Sequence, residues 1–264
     1  MDNCHLCRMF SRPPLISIVT VVRNGGYYLS GTVRSVLEQT YPHIEYIIVD
    51  GASTDHTLTV IHWAEMVNER LLNTKMLRWS SEPDKGLYDA MNKGLRMATG
   101  DFVWFLNAGD GLFEAKTVEK MVKCCTPETD VLYGEVMLVS FTRRHLGTRS
   151  ELTVQKLPEH LTWESLRMGM TVSHQAFVAR RAIAPSFIPD NLAADIDWVI
   201  EVLKKSRQNT HTHLVLAEYL TGGLSVQRHR RSLADRYRVL AKHYGRWPNL
   251  WAHVKIFLRA MVKG

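Results

Sequence analysis

Long apolar runs are missing from this chain of 264 residues. The first apolar stretch, Leu15 to Val22, is too short to cross a bilayer, and no segment reaches about 18 uninterrupted apolar residues. Residues 1–14 have no apolar centre, so a secretory leader is not expected. Cysteine is scarce: Cys4, Cys7, Cys124 and Cys125 are the four. A zinc site built on Cys4-x-x-Cys7 wants a second pair at ligand spacing, and adjacent Cys124-Cys125 do not supply it. Reduced thiols in a cytosolic protein are the expectation. Two glycine motifs are also absent. No G-x-G-x-x-G follows an early strand, and no G-x-x-x-x-G-K-[ST] occurs, which argues against a dinucleotide fold of that type and against a P-loop NTPase. There is no internal repeat and no low-complexity segment.

What is present suits a soluble globular protein, with 45% apolar and 22% charged residues, enough for one large domain or two small ones sharing a sheet. The net charge of +7 is unevenly placed: from Arg228 onward ten Lys/Arg face one acid, Asp235, while the rest of the chain carries 23 basic and 25 acidic groups. A near-neutral body with a basic tail reads as an electrostatic anchor and not as a basic globular domain. It also lacks any groove-reading motif, so nucleic acid is not an expected partner.

Ile16 to Val22 is continuous and β-branched, the pattern of a strand buried on both faces. A helix is expected over 30–39, a second buried strand over 46–49, a helix over 57–69, a third strand over 75–79, a helix over 88–97 and a fourth strand over 102–106. Such alternation predicts a parallel, doubly wound sheet with right-handed crossovers. Beyond it, 131–139 and 174–179 read as strands, 143–158 as a polar, mobile loop, and 195–205 as a helix. The tail reads as two helices broken at Gly245-Arg-Trp-Pro248. The first stripes Leu233, Tyr237, Leu240 and Tyr244. The second stripes Leu250, Val254, Phe257, Leu258 and Met261, with Lys255, Arg259 and Lys263 off the stripe. An apolar face bordered by cations suits a helix lying in a membrane interface, and equally a helix packed on the domain with a solvated basic face.

Chemistry-bearing residues sit at the carboxyl ends of the strands, where open α/β sheets bind ligands. Asp50 closes the second strand, where a carboxylate can accept hydrogen bonds from a base or ribose. Asp55 is a natural N-cap for the helix that follows. Asp84-Lys85-Gly86 can be a tight turn and nothing more. Asp110 ends the polar loop after the fourth strand, where one carboxylate can help hold a divalent metal.

Read in order, Ile18-Val-Thr-Val-Val-Arg-Asn24, Val49-Asp-Gly-Ala-Ser-Thr-Asp55, Glu82-Pro-Asp-Lys-Gly-Leu-Tyr-Asp-Ala-Met-Asn-Lys-Gly94 and Phe105-Leu-Asn-Ala-Gly-Asp110 resemble family 2 glycosyltransferases, in particular bacterial exopolysaccharide enzymes of the colanic acid type. Ser173-His-Gln-Ala176, Ala194-Asp-Ile-Asp197 and Gly222-Gly-Leu-Ser225 continue the resemblance, which covers about residues 14–227.

The resemblance implies a GT-A type, Rossmann-like nucleotide-diphospho-sugar transferase fold with a mostly parallel central sheet and a C-terminal helical tail. It implies a nucleotide-sugar half over 14–115, an acceptor-binding and catalytic half over 116–227, and the basic tail over 228–264. In it Asp50 holds the nucleobase, usually uracil. Thr20 and Asn24 line the same pocket, and Asp84, Lys85 and Asp89 lie near the base and sugar. The metal motif departs from the family's usual two carboxylates. Asn107 and Gly109 stand where many members have aspartates, which leaves Asp110, with Asn107, to hold Mg²⁺ or Mn²⁺ together with the donor diphosphate and waters.

Asp195 aligns with the family's catalytic base, and Asp197 is its competitor. A helix N-terminus stabilises the ionised form of either, which also suits a capping role. His174 positions acceptor or diphosphate, or is a hydrogen-bonded, semi-buried histidine. The implied reaction is an inverting transfer from a nucleotide-diphospho-sugar, a UDP-sugar by preference, to a lipid-linked or glycan acceptor. Its place is the cytoplasmic face of the inner membrane, with the tail on the anionic lipid surface. The other reading is a catalytically inactive sugar-nucleotide-binding scaffold of a polysaccharide assembly complex.

Overall fold

The computed structural model describes residues 12–70, 76–222 and 229–249. Its first half alternates as the hydrophobic pattern requires: β1 (Ile16–Val22), α1 (Gly26–Leu37), β2 (Ile44–Asp50), α2 (Thr57–Arg70), β3 (Met76–Ser81), α3 (Leu87–Met97) and β4 (Phe102–Phe105). β1 and β2 are buried at every position, which explains why they read as unbroken apolar runs and not as alternating ones. The strand order β3-β2-β1-β4 is parallel throughout. The chain winds outward from β1 to β3 and then returns to β1's other side. That reversal puts a topological switch point at the carboxyl ends of β1 and β4.

The second half extends the same sheet. β5 (Gly111–Leu112), α4 (Thr117–Lys123), β6 (Val131–Val139), β7 (His145–Thr148), α5 (Arg149–Leu152), β8 (Phe177–Arg180), α6 (Ala194–Lys205) and β9 (Asn209–Leu220) follow in order. β8 joins β4 antiparallel, β6 joins β8 antiparallel, and β9 lies parallel to β6. Helices cover both faces. One core packs Leu29 and Val33 of α1, Ile61 of α2 and Met121 of α4 against Ile18, Tyr46 and Trp104. The other packs Met91 of α3 and Trp198 and Val199 of α6 against Val19, Phe105 and Phe177.

Three expectations change. Residues 145–152, inside the expected loop 143–158, are structured: Leu138 and Met137 of β6 pair with Gly147 and Thr148 of β7, and Thr148 with Glu151 forms a capping box that starts α5, while 153–158 stays without a helix or strand. His174–Ala176 is a turn of 3₁₀ helix before β8, not part of the strand. The first tail helix, α7 (His229–Tyr244), packs on the domain. Val239 and Leu240 are buried in the second core, each contributing about 1.5–3 kcal/mol by its burial. The Tyr244 ring stacks on Trp163, with centroids 5.3 Å apart. Leu233, expected in the same stripe, is exposed. The packed-helix alternative therefore holds for 229–244, and its basic groups serve ion pairs: Arg231 and Arg238 meet Asp235, and Lys242 meets Asp197 and Glu201. The expected second tail helix, residues 223–225 of the Gly222 motif, and Cys4 and Cys7 lie outside the described residues. Cys124 and Cys125 are free thiols, half-buried and buried.

Candidate active site

Two groups of polar side chains form at the carboxyl ends of β2 and β4, with only β1 between those strands. At the first, the carboxylate of Asp50 is fully buried. It accepts from the Ser53 backbone N–H at 3.0 Å, from the Ser53 hydroxyl, and from the Ser81 hydroxyl at 2.6 Å. Asn24, in the left-handed region at φ 49°, donates from its backbone N–H to Ser53 Oγ at 2.7 Å and accepts from Thr54 N–H at 2.8 Å. Gly51 admits Asp84 to this lip, since a Cβ there would lie 2.1 Å from Asp84 Oδ2. Asn24, Asp50 and Asp84 are thus brought together. Lys85 and Asp89 belong to the turn that starts α3: Lys85 N–H donates to Asp89 Oδ2 at 3.0 Å, and Gly86 N–H to Asp84 Oδ1 at 2.8 Å.

Thr20 needs correction. Its hydroxyl is fully buried, donates to the Leu106 carbonyl at 2.7 Å and accepts from Tyr46 OH at 3.2 Å. It ties β1, β2 and the end of β4 together from inside the core.

The second group centres on Asp110. Its loop turns at Gly109, which has φ 105° and whose added Cβ would sit 3.2 Å from Leu220 Cδ2. A side chain is strained there, so any residue other than glycine would carry a backbone cost at this turn. Asp110 is buried, and its two oxygens accept from Leu220 N–H and Gln175 Nε2, both at 3.1 Å. Burial pushes its carboxyl up to about 6, against the favourable charges of His174 and Arg143. Asn107 Nδ2 lies 3.4 Å from His174 Nε2, while Asn107 Oδ1 is buried without a hydrogen-bond partner. On the other side of the imidazole, His174 Nδ1 is 3.6 Å from Asp195 Oδ2. Asp195 stands in the first turn of α6, where the helix dipole favours a negative charge. Tyr88 and Tyr219 close the group. Burial first and then neighbouring carboxylates, Asp195 for Tyr88 and Asp110 with Asp195 for Tyr219, push both phenols up.

Asp197 also needs correction. Two residues along a helix is a rotation of about 200°, so it faces away from Asp195's side. It is buried and accepts from Lys242 Nζ at 2.8 Å and His243 Nε2 at 2.7 Å. Its carboxyl stays below its usual range because these partners outweigh its burial. It clamps α7 onto α6.

Sequence reasoning missed Gln175, Tyr88 and Tyr219 as members of the site. Gln175 and Tyr88 lie inside motifs already quoted, and Trp104 Nε1 fixes the Gln175 carbonyl at 2.8 Å, so position in the motif was the available signal. Tyr219 lies on β9, which carried no recognised pattern. A cavity of about 340 Å³ opens beside the Gly109 turn, lined by Tyr27, Tyr28, Phe141, Arg143 and Leu220, and Asp50, Asp110 and Asp195 are not among its walls.

The donor set suits a hard divalent cation. Asp110 offers a buried carboxylate with no lysine or arginine paired to it among the described residues, and Asn107 Oδ1 is an oxygen in want of a partner. Two protein oxygens leave the remaining positions of such an ion to phosphate and water.

Comparison with known proteins bears on the family and the fold. Residues 17–184 match the model of glycosyl transferase family 2. A PGL/p-HBAD biosynthesis glycosyltransferase of Mycobacterium bovis is 30% identical over 94% of both chains. TuaG of Bacillus subtilis, provisionally assigned as a teichuronic acid biosynthesis glycosyltransferase, is 39% identical over 78% of this chain and 79% of its own. Among solved structures, S. aureus TarS 1-349 in complex with UDP-GlcNAc superposes with TM-score 0.65 at 18% identity, over 85% of this chain and 64% of that one. Mannosyltransferase PcManGT from Pyrobaculum calidifontis, in complex with GDP-Man and Mn²⁺, gives 0.64 at 17% identity over 92% of this chain and 72% of that one. A switch-point site on a three-layer sheet, a family model spanning most of that sheet, and relatives matched nearly end to end agree: this chain has the GT-A fold and belongs to glycosyl transferase family 2.

Proposed function

We propose that this chain is a metal-dependent inverting transferase that moves a hexosyl unit from a UDP-sugar to a lipid-linked or glycan acceptor during assembly of a bacterial surface polysaccharide. The observation that carries the reading is the convergence of Asn107, Asp110, His174 and Asp195 at the switch point. Adjacent strands are about 4.8 Å apart, so the lips of β2 and β4 are separated by about 10 Å across the end of β1. A nucleoside diphosphate laid across that end has Asn24, Asp50 and Asp84 for its base and ribose and Asp110 for its phosphates. Asp50 already holds three donors, so the base is left one remaining acceptor position on its carboxylate.

Asp110 and Asn107 would hold Mg²⁺ or Mn²⁺, which would supply charge neutralisation for the departing diphosphate. Asp195 takes the proton of the acceptor hydroxyl as that oxygen bonds to the anomeric carbon and the bond to the diphosphate breaks. General-base help of this kind is worth about 10²–10⁴-fold. His174, set between Asn107 and Asp195, aligns the base and presents its ring to the diphosphate. With Asp195 as base and no second nucleophilic side chain assigned to the site among the described residues, a single displacement inverts the anomeric centre. The relative assigned to teichuronic acid biosynthesis and the UDP-GlcNAc bound by TarS support the donor class and setting.

The enzyme's place is the cytoplasmic face of the inner membrane, held by the cations beyond Asn249, since α7 is spent on the domain. A panel of nucleotide sugars, scored for thermal stabilisation and for transfer, tests the reading. The wild type should transfer from a UDP-sugar with Mg²⁺ or Mn²⁺, and Asp195→Ala should bind the donor but not transfer. Equal background rates in wild type, Asp110→Ala and Asp195→Ala would favour the inactive scaffold.

A further inference from the structure

β9 joins two chemical groups. Its last residue, Leu220, donates to Asp110. Its early residues His211 and His213 lie seven or more positions away, about 25 Å along a strand, and play no part in the transfer.

His211 Nδ1 lies 3.1 Å from Glu159 Oε2, and His213 Nε2 lies 3.3 Å from Glu159 Oε1. The two imidazole centroids are 4.1 Å apart. Residues two apart in a regular strand are separated by about 6.8 Å. The rings approach because the strand is bulged here: Tyr133 of β6 pairs with His211 but Glu135 pairs with Val215, and His213 takes φ 56°. Two of the three ligands are also held from behind. The His211 ring stacks flat on Tyr133, at 4.9 Å and 6°. Glu159 rides on a turn fixed by Tyr133 OH donating to the Glu159 carbonyl at 2.7 Å and accepting from Leu161 N–H at 3.1 Å, with Asn209 Nδ2 on the Leu161 carbonyl at 2.8 Å.

We propose that Glu159, His211 and His213 form a zinc site that clips the 158–161 turn to the bulge of β9. One ligand atom from each of the three residues lies within 4.8 Å of the other two, and each imidazole already stands 3.1 or 3.3 Å from one Glu159 oxygen, close to the roughly 3.3 Å that separates ligands of a tetrahedral Zn²⁺. Two imidazoles and one carboxylate suit Zn²⁺, with water or the adjacent His160 in the open position. A second group of similar composition, Asp197, Glu201 and His243, is disqualified by its neighbours. Lys242 Nζ lies 2.8 Å from Asp197 and 3.3 Å from Glu201, and Lys204 Nζ donates to His243 Nδ1 at 2.8 Å, so ammonium groups already occupy that place. Among the described residues no lysine or arginine pairs with Glu159; its ion-pair partners are the two imidazoles.

The test is calorimetric titration of the full chain with Zn²⁺, with metal content counted after dialysis and Co²⁺ used as a visible-absorption probe. His213→Asn is the informative variant, because asparagine tolerates the left-handed backbone; Glu159→Gln is the second. The expected result is one Zn²⁺ per chain, a tetrahedral Co²⁺ spectrum without a thiolate charge-transfer band, and an affinity at least ~10-fold weaker in either variant. Binding should survive in Asp110→Asn and in the double variant Cys4→Ser/Cys7→Ser. Absence of stoichiometric Zn²⁺, equal affinity in His213→Asn and Glu159→Gln, or loss of binding with the cysteines would overturn the proposal.

Discussion

The lips of β2 and β4 carry one buried aspartate each, and the two are in opposite states. Asp50 already accepts three hydrogen bonds from Ser53 and Ser81, donors from its own loop and from the next strand. Asp110 has two amide donors, no paired cation among the described residues, and an acid form favoured by burial; beside it Asn107 Oδ1 has no hydrogen-bond partner. The first lip is held together by the protein's own donors, with one acceptor position left on its carboxylate. The second is finished only by something added, and unspent polar capacity of that kind marks the place where charge arrives from outside.

The largest expected effect separates the two. Asp110→Ala should lower metal-dependent transfer by about 10²-fold or more, as read by kcat, with folding of the variant checked by urea unfolding. Asp50→Ala should do damage of another kind. It strands two hydroxyls and a backbone N–H, so a stability loss of about 1–3 kcal/mol is expected in the same unfolding experiment. If Asp50→Ala left stability unchanged, the contrast between the lips would fail.

The same contrast recurs on α6, in Asp195 and Asp197. Asp197→Asn weakens contacts to Lys242 and His243 and should cost about 1–3 kcal/mol of stability at neutral pH. Because its carboxyl is lowered in the folded chain, its contribution is present above the ordinary value of 3.8 and is lost as pH falls through the folded value. Thermal scans of wild type and variant should therefore converge in acid. Cutting after Gln227 should unfold or destabilise the protein, since it strips Val239 and Leu240 from the core. Cutting after Asn249 should leave it folded and release it from anionic liposomes; continued sedimentation with them would sink the anchor.

The smallest effect is at Gly109. Gly109→Ala should cost about 1 kcal/mol, from its left-handed backbone and the approach to Leu220. Gly109→Asp should not build a stronger metal site, which a comparison of Mn²⁺ affinities would reveal.

Much of this was legible in the residues. The apolar runs of β1 and β2 and the periodic faces of α1, α2 and α3 set the wound half, because burial on both faces leaves little else for such segments to do. Asp110, Asn107, His174 and Asp195 were drawn together by motif order. Illegible were the features decided at long range. Thr20 and Asp197 have the right chemistry in the right motifs, but strand pleat and helix phase turn their side chains into the protein. β9 alternates poorly because a bulge interrupts it, and α7 looks amphipathic whether it meets lipid or α6. The segment 143–158 did contain a usable sign, the Thr148-x-x-Glu151 capping box.

The central claim is that Asp110 waits for a cation that arrives with a diphosphate. Its raised carboxyl favours the acid form in the folded chain, so this group's contribution to stability is present below 3.8 and lost as pH rises through about 6. A cation on the ionised form reverses that preference. Following the Asp110 carboxyl by carbon NMR across pH, with and without Mg²⁺ and UDP together, tests this most directly. The account predicts a midpoint near 6 for the protein alone, displaced downward by more than about one unit when both are added. A midpoint that Mg²⁺ and UDP leave in place would contradict it.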